Sequence, residues 1–241
     1  GRTYVGYAWD AGSSTVTNTD GTITSQVRAN QTSGFSIVTY TGGGANGSTI
    51  GHGLNKKPEL IFLKSRTAAE NWFVNHPVGT GNGYLMLNQI NAGDGSNATV
   101  WNSTAPTSSV FTIGSSSGVN GSQNYVAYCF SPISGYSAMG SFSGAGSSGP
   151  FIYTGMRPSW ILIKRTDNTG NWVIWDTTRQ DYNALTKQIF ANTSGAEQDI
   201  SADAIDALSN GFMVRSSSAF GGGTFLYMAF AEHPFKSSRA R

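Results

Sequence analysis

Short runs of β-branched and aromatic residues recur along the whole chain, separated by clusters of Gly, Asn, Asp, Ser and Thr. Runs of this length and composition, bounded by turn-forming residues, predict strands rather than helices. They fall at 35–40, 60–64, 72–75, 84–87, 110–113 and 125–130, and again at 136–142, 160–164, 172–175, 188–190, 212–215 and 225–230. Residues 60–64 and 160–164 are apolar at odd and even positions alike until the closing Lys64 and Lys164. Because strand side chains alternate between faces, that pattern predicts a central strand covered on both sides. Asp167-Asn-Thr-Gly170 reads as a hairpin turn. One helical turn is predicted over 201–208, where Ile200, Ala204, Ile205 and Leu208 share a face, Ser201 can cap and Gly211 follows. The fold class is therefore all-β.

The pattern repeats. Pro58-Glu-Leu-Ile-Phe-Leu-Lys64 returns 100 residues on as Pro158-Ser-Trp-Ile-Leu-Ile-Lys164, and Asn71-Trp-Phe-Val74 returns as Asn171-Trp-Val-Ile174. Phe111 matches Phe212, Gly34-Phe-Ser36 matches Gly135-Tyr-Ser137, and Tyr40-Thr-Gly42 matches Phe142-Ser-Gly144. Tyr125-Val-Ala-Tyr-Cys-Phe130 matches Tyr227-Met-Ala-Phe-Ala-Glu232, and Tyr4-Val-Gly-Tyr-Ala-Trp9 matches both. Self-similarity at a fixed spacing marks a repeat architecture. The expected organisation is the last strand of a truncated upstream repeat at 1–12, a linker at 13–33 and β repeats at 34–133 and 134–241. Each repeat is expected to be a β-sandwich. Small residues in the closing strand (Gly6, Ala8, Ala127, Cys129, Ala229, Ala231) leave room for a large neighbour, and Trp72 and Trp172 are expected to fill it.

Composition supports an ordered, turn-rich chain. Gly is 31 of 241 residues with 7 Pro, short of the roughly 25–30 % combined share that marks disorder, and 38 % of residues are hydrophobic. The formal net charge is +2 with no basic stripe, so nucleic acid is not an expected partner. No run of 18 apolar residues suits a membrane-spanning helix, and membrane insertion is not expected. Cys129 is the only cysteine, which excludes an intrachain disulfide and a cysteine-based zinc site. Low charge, no disulfide and many aromatics lead to an expectation of self-association, as a trimer if the protein forms a fibre.

Candidate chemistry is sparse. His52, His76 and His233 lack metal-ligand spacing and read as surface or turn residues; no metal and no cofactor are expected. Cys129 reads as a small buried residue. No Gly-x-Ser-x-Gly elbow occurs, and Gly42-Gly-Gly44 and Gly221-Gly-Gly223 lack the Lys-Ser/Thr of a phosphate loop. A glycosidase needs paired carboxylates in a cleft, for which Asp176, Asp181 and Glu197 are candidates, although acidic loop residues commonly just form turns. Sugar sites combine an aromatic platform with Asp, Asn or Arg hydrogen bonds to hydroxyls. Trp175-Asp176-Thr-Thr-Arg179-Gln-Asp181-Tyr182 gathers those types, and Trp101-Asn102 does so more sparsely. The candidate carbohydrate-binding residues are Trp175, Asp176, Arg179, Asp181, Tyr182 and Trp101.

Several segments resemble a family of repeated β domains of unassigned function in structural, tail-fibre-like proteins of marine bacteriophages. They are Gly34-Phe-Ser-Ile-Val-Thr-Tyr-Thr-Gly42, Gly51-His-Gly-Leu54 with Pro58, Thr104-Ala-Pro-Thr-Ser-Ser-Val-Phe111 and Tyr125-Val-Ala-Tyr-Cys-Phe130. Gly149-Pro-Phe-Ile-Tyr-Thr-Gly155, Ala229-Phe-Ala-Glu-His-Pro-Phe-Lys236, Thr19-Asp-Gly-Thr-Ile-Thr-Ser25 and the basic ending Arg239-Ala-Arg241 extend the likeness over nearly the whole chain. The resemblance implies virion origin and a lectin-like jelly-roll or concanavalin-like sandwich, and it brings no established catalytic or ligand residues to carry over. The expected function is a non-enzymatic part of the host-adsorption apparatus, with host-surface glycans or a receptor and other virion subunits as partners. The alternatives are a purely architectural shaft or capsid-decorating protein and a surface-polysaccharide depolymerase.

Overall fold

The computed structural model describes residues 4–76, 83–95, 97–145, 149–215 and 220–234. The basic ending Arg239-Ala-Arg241 lies outside the described residues. The chain is all-β, built of antiparallel sheets. In the first half the elements are β1 (Val16–Asn18), β2 (Ser25–Asn30), β3 (Phe35–Thr41), β4 (Ser48–Gly51), β5 (Leu60–Ser65), β6 (Phe73–Asn75) and β7 (Tyr84–Met86). The short helix α1 (Ala98–Trp101), β8 (Val110–Ile113), helix α2 (Ser117–Asn120) and β9 (Asn124–Phe130) complete it. The second half holds β10 (Ser137–Ser143), β11 (Phe151–Tyr153), β12 (Pro158–Arg165), β13 (Trp172–Asp176), β14 (Lys187–Phe190) and β15 (Gln198–Asp199). It ends with β16 (Ile205–Leu208), β17 (Gly211–Val214) and β18 (Thr224–Ala231).

Two large sheets carry the architecture, in the orders β1-β2-β3-β9-β5-β6-β7 and β10-β18-β12-β13-β14-β15. Two small sheets, β4-β8 and β11-β17-β16, lie apart from them. The run β3-β9-β5-β6-β7 has the same order as β10-β18-β12-β13-β14, and β4 with β8 answers to β11 with β17.

The cores follow from side-chain alternation. In β5, Ile61 and Leu63 pack with Ile50 of β4 and Phe111 and Ile113 of β8, while Leu60 and Phe62 turn the other way. In β12, Ile161 and Ile163 pack with Ile152, Phe212 and Ile205 of the second small sheet, and Leu162 turns away. The side chains turned away meet one another. Leu60, Phe62, Val74, Leu85 and Phe130 of the first large sheet form one cluster with Leu162, Trp172, Leu226, Met228 and Phe230 of the second. The central strands of each large sheet are thus covered on one face by side chains of a small sheet and on the other by side chains of the opposing large sheet. This is why 60–64 and 160–164 are apolar throughout. Burial of such doubly covered side chains stabilises by about 1.5–3 kcal/mol each.

Four local expectations change. Residues 13–33 are not a linker: β2 sends Ser25 and Val27 inward and Gln26 and Arg28 outward, and pairs along β3 with Val27 opposite Val38. Residues 4–9 form no strand; Tyr7 and Trp9 pack at the seam, Trp9 lying 5.6 Å from both Trp160 and Phe230. Residues 201–208 are one 3-10 turn (Ser201–Asp203) followed by β16, because Ile205 and Ala207 alternate inward as strand residues. Neither Trp72 nor Trp172 fills the space beside the small residues. Trp72 is half-buried and stacks on Tyr128 (6.2 Å), and Trp172 sits in the seam with its Nε1–H donating to the Met86 carbonyl at 2.9 Å.

The closing strands also correspond differently. Leu60 pairs with Phe130 and Trp160 with Phe230, so Cys129 answers to Ala229 and Ala127 to Tyr227. The bulk of Tyr227 is matched on the neighbouring strand. Ala127 lies opposite Val38, whereas Tyr227 lies opposite Gly140. A Cβ placed on Gly140 would stand 3.1 Å from the Tyr227 ring. Gly140→Val is therefore expected to cost about 1–3 kcal/mol by overpacking. Against a Tyr227→Ala background that cost should largely vanish, giving a coupling of about 1 kcal/mol or more in a denaturant double-mutant cycle. Additive effects would show that the two positions do not share the space.

Candidate functional site

The two tryptophans expected to form sugar platforms are fully buried. Trp101 closes α1, whose N-terminus is capped by the Asn97 side chain accepting from Thr99 N–H at 3.0 Å, and its ring turns inward to Phe111 (6.4 Å). Trp175 shares the inward face of β13 with Val173 and packs near Phe220 (6.2 Å), while Trp172 and Ile174 take the seam face. Strand alternation fixes this: the residue next to a seam residue must face the other core. Neither ring has a free face for a sugar, so Trp101 and Trp175 are core residues.

Asp176 anchors a polar network where β13 ends. Its side chain is 4 % exposed, yet it accepts four hydrogen bonds. Oδ2 accepts from the Tyr7 hydroxyl (2.5 Å) and from Arg179 Nε (2.5 Å). Oδ1 accepts from the backbone N–H of Thr178 (3.1 Å) and Arg179 (2.8 Å). Burial opposes its ionisation, but the bonds from Tyr7 and Arg179 outweigh burial and hold the carboxyl below the usual carboxylate range. Burial first, and then the Asp176 contact, raise the Tyr7 hydroxyl well above an ordinary phenol. Arg179 also pairs with Glu197, so one guanidinium joins the end of β13 to the segment before β15.

Gln180 shapes the rest of this loop: its Oε1 accepts from the N–H of Thr186 (2.8 Å) and Lys187 (3.0 Å). Asn183 clamps it to β16, donating to the Ala207 carbonyl (3.0 Å) and accepting from Ala207 N–H (2.9 Å). Asp181 is exposed, and Tyr182 stands 73 % exposed at the tip. The structure thus brings Asp176 and Arg179 together with Glu197 and Tyr7 and leaves Asp181 and Tyr182 outside. An ionised carboxylate already filled by four donors is a buttress rather than a proton carrier or nucleophile. Tyr7, Gln180 and Asn183 were not singled out in the sequence. Only proximity across the fold, Tyr7 to Asp176 above all, gives them these roles.

Beside Tyr7 the two large sheets leave a cavity of about 390 Å³, walled by Trp9, Trp72, Tyr128, Trp160 and Leu162 among others. Its size is that of a small-ligand pocket, and its wall is mainly aromatic and aliphatic side chains.

The histidines at 52 and 76 are not surface residues. His52 is fully buried, with Nδ1 accepting from Leu54 N–H (3.2 Å) and Nε2 facing the Thr107 carbonyl (3.3 Å). His76 is buried at the end of β6, and burial pushes it down to about 4. Cys129 lies in the first core, where burial pushes its thiol up to about 12. Among the described residues, no three His, Cys, Asp or Glu side chains gather as a metal cluster.

No curated protein and no solved structure matches the chain. A family profile described as a domain of unknown function (DUF7483) matches residues 1–234. Spanning nearly the whole described fold, that match places the chain in the DUF7483 family.

Proposed function

We propose that the chain is a non-enzymatic structural module of a bacteriophage particle, made of two copies of one β-sandwich repeat and placed in the apparatus that meets the host. One observation carries the reading. The side chains with the greatest chemical potential are spent on architecture: Trp101 and Trp175 in cores, His52 buried, and Asp176 and Arg179 in the buttress at the seam. The similarity of the sequence to phage structural repeats supplies the particle. Contact with a host-surface glycan falls to the loop at 177–186, where Tyr182 is held outward on a backbone fixed by Gln180 and Asn183. An exposed aromatic on a rigid loop can meet the face of a sugar ring without ordering cost.

Antibodies raised against residues 1–241 should decorate intact particles of the encoding phage at the tail in immunogold electron microscopy. Label on the head or no label would refute the placement. On an array of host-envelope glycans, any sugar retained by the chain should be lost with Tyr182→Ala. An unchanged signal with that variant would remove the loop from the reading.

A further inference from the structure

The two halves differ at one edge of their large sheets. In the first half β3 is covered by β2, and Val38 and Tyr40 are buried, at 0 % and 5 % exposure. In the second half the strand in that place is β10, and its residues opposite β18, Gly140 and Phe142, are only half-buried. Among the described residues no strand pairs with the other edge of β10. The small sheets show the same contrast. Ile50 of β4 is bridged by Ile23, and Thr49 bonds Thr22. In β11 the flanking positions hold Phe151 and Tyr153, 46 % and 68 % exposed.

Edge strands that must stay unpaired carry Lys, Pro, a bulge or inward charge. β10 has none of these. Its sequence, Ser-Ala-Met-Gly-Ser-Phe-Ser, is uncharged and pairs with β18 without a register break over all seven residues. It is also self-complementary about its centre. Set antiparallel to itself on Gly140, it places Phe142 opposite Ala138, Met139 opposite Ser141, and Ser137 opposite Ser143. Large side chains meet small ones, no like charges meet, and Gly140 sits on the axis.

We propose that β10 pairs with β10 of a second copy of this chain, giving a two-fold dimer in which the two second-half sheets run on as one. The first half supplies the precedent within the molecule, since a strand of this same chain, β2, takes the corresponding edge. The interface is isologous and closes on itself. Phe142 gains in the dimer the cover that Tyr40 receives within the chain.

Sedimentation velocity on the whole chain over a concentration series should show a monomer–dimer equilibrium. Hydrogen exchange should show residues 137–143 more protected in the dimer. Ser141→Lys places a charge on an exposed strand position and should raise the dimer Kd by about tenfold or more. Ser143→Lys is the second variant, for use if the first alters the fold by circular dichroism. A monomer at every concentration, a trimer, or a dimer in which residues 137–143 exchange as in the monomer would overturn the proposal.

Discussion

Trp172→Ala is expected to lower the stability of the chain by about 3–5 kcal/mol, the range for emptying a fully buried tryptophan site. The ring belongs to the second half but is seated against the first, 6.3 Å from Phe62 and hydrogen-bonded to the carbonyl of Met86. Its loss leaves a void in a core that both halves share, beside a seam that already contains a cavity of about 390 Å³. Neighbours that cannot collapse around the void make the cost larger. Trp172→Phe keeps most of the packing and forfeits the N–H bond, worth about 1 kcal/mol. Trp72→Ala removes a half-buried ring stacked on Tyr128 and should cost well under half as much. Urea unfolding of the three variants checks the order. If Trp72→Ala costs as much as Trp172→Ala, the seam is not where the halves are joined. A second expectation follows from the position of Trp172. Weakening the seam should split a single unfolding transition into two, because each half retains its own core between a large and a small sheet.

The parts of this fold legible in the sequence are those where one strand's alternation states its surroundings. Residues 60–64 and 160–164 announce two covered faces, and both faces are covered. Strand β2 was hidden because, of its inward residues Ser25, Val27 and Ala29, only Val27 is a sizeable apolar side chain, and its outward ones are Gln26 and Arg28. Only the edge of β3 makes them a strand. The small-residue pattern of the closing strand was real, but its partner was misread. Volume there is balanced across one pair of neighbouring strands, Val38 with Ala127 and Gly140 with Tyr227, and tryptophans take no part. The clustering of Trp175 with Asp176, Arg179 and Tyr182 resembled a sugar site because types were read without faces. Placed on β13 and the loop after it, the cluster divides: Trp175 enters a core, Asp176 and Arg179 brace the seam, and Asp181 and Tyr182 reach solvent.

Asp176→Ala should destabilise by about 3 kcal/mol, because it leaves the mostly buried Arg179 without one of its two close carboxylate partners and the Tyr7 hydroxyl and two backbone N–H groups without an acceptor. Glu197 stays beside Arg179 and keeps the loss at the lower end of the range for a broken buried pair. The variant should also free the N-terminal segment. Tyr7 is tied to the second half by this carboxylate, and Trp9 packs behind it on Trp160 and Phe230. Amide exchange and protease cleavage within residues 4–12 should therefore rise more than anywhere in the large sheets. Tyr7→Phe, which deletes one bond and leaves Arg179 paired, should cost about 1–1.5 kcal/mol and give a weaker form of the same local release. The pH dependence separates the charge from the packing. The folded Asp176 carboxyl titrates below its unfolded value, so its contribution is complete above the unfolded value of about 3.9 and fades as pH falls through the folded one. The stability gap between the native chain and Asp176→Ala should thus hold steady from neutral pH down to about 4–5 and narrow below that. A gap that stays constant in more acid solution would mean that the loss comes from packing and that the ionised carboxylate does not hold the N-terminal segment in place.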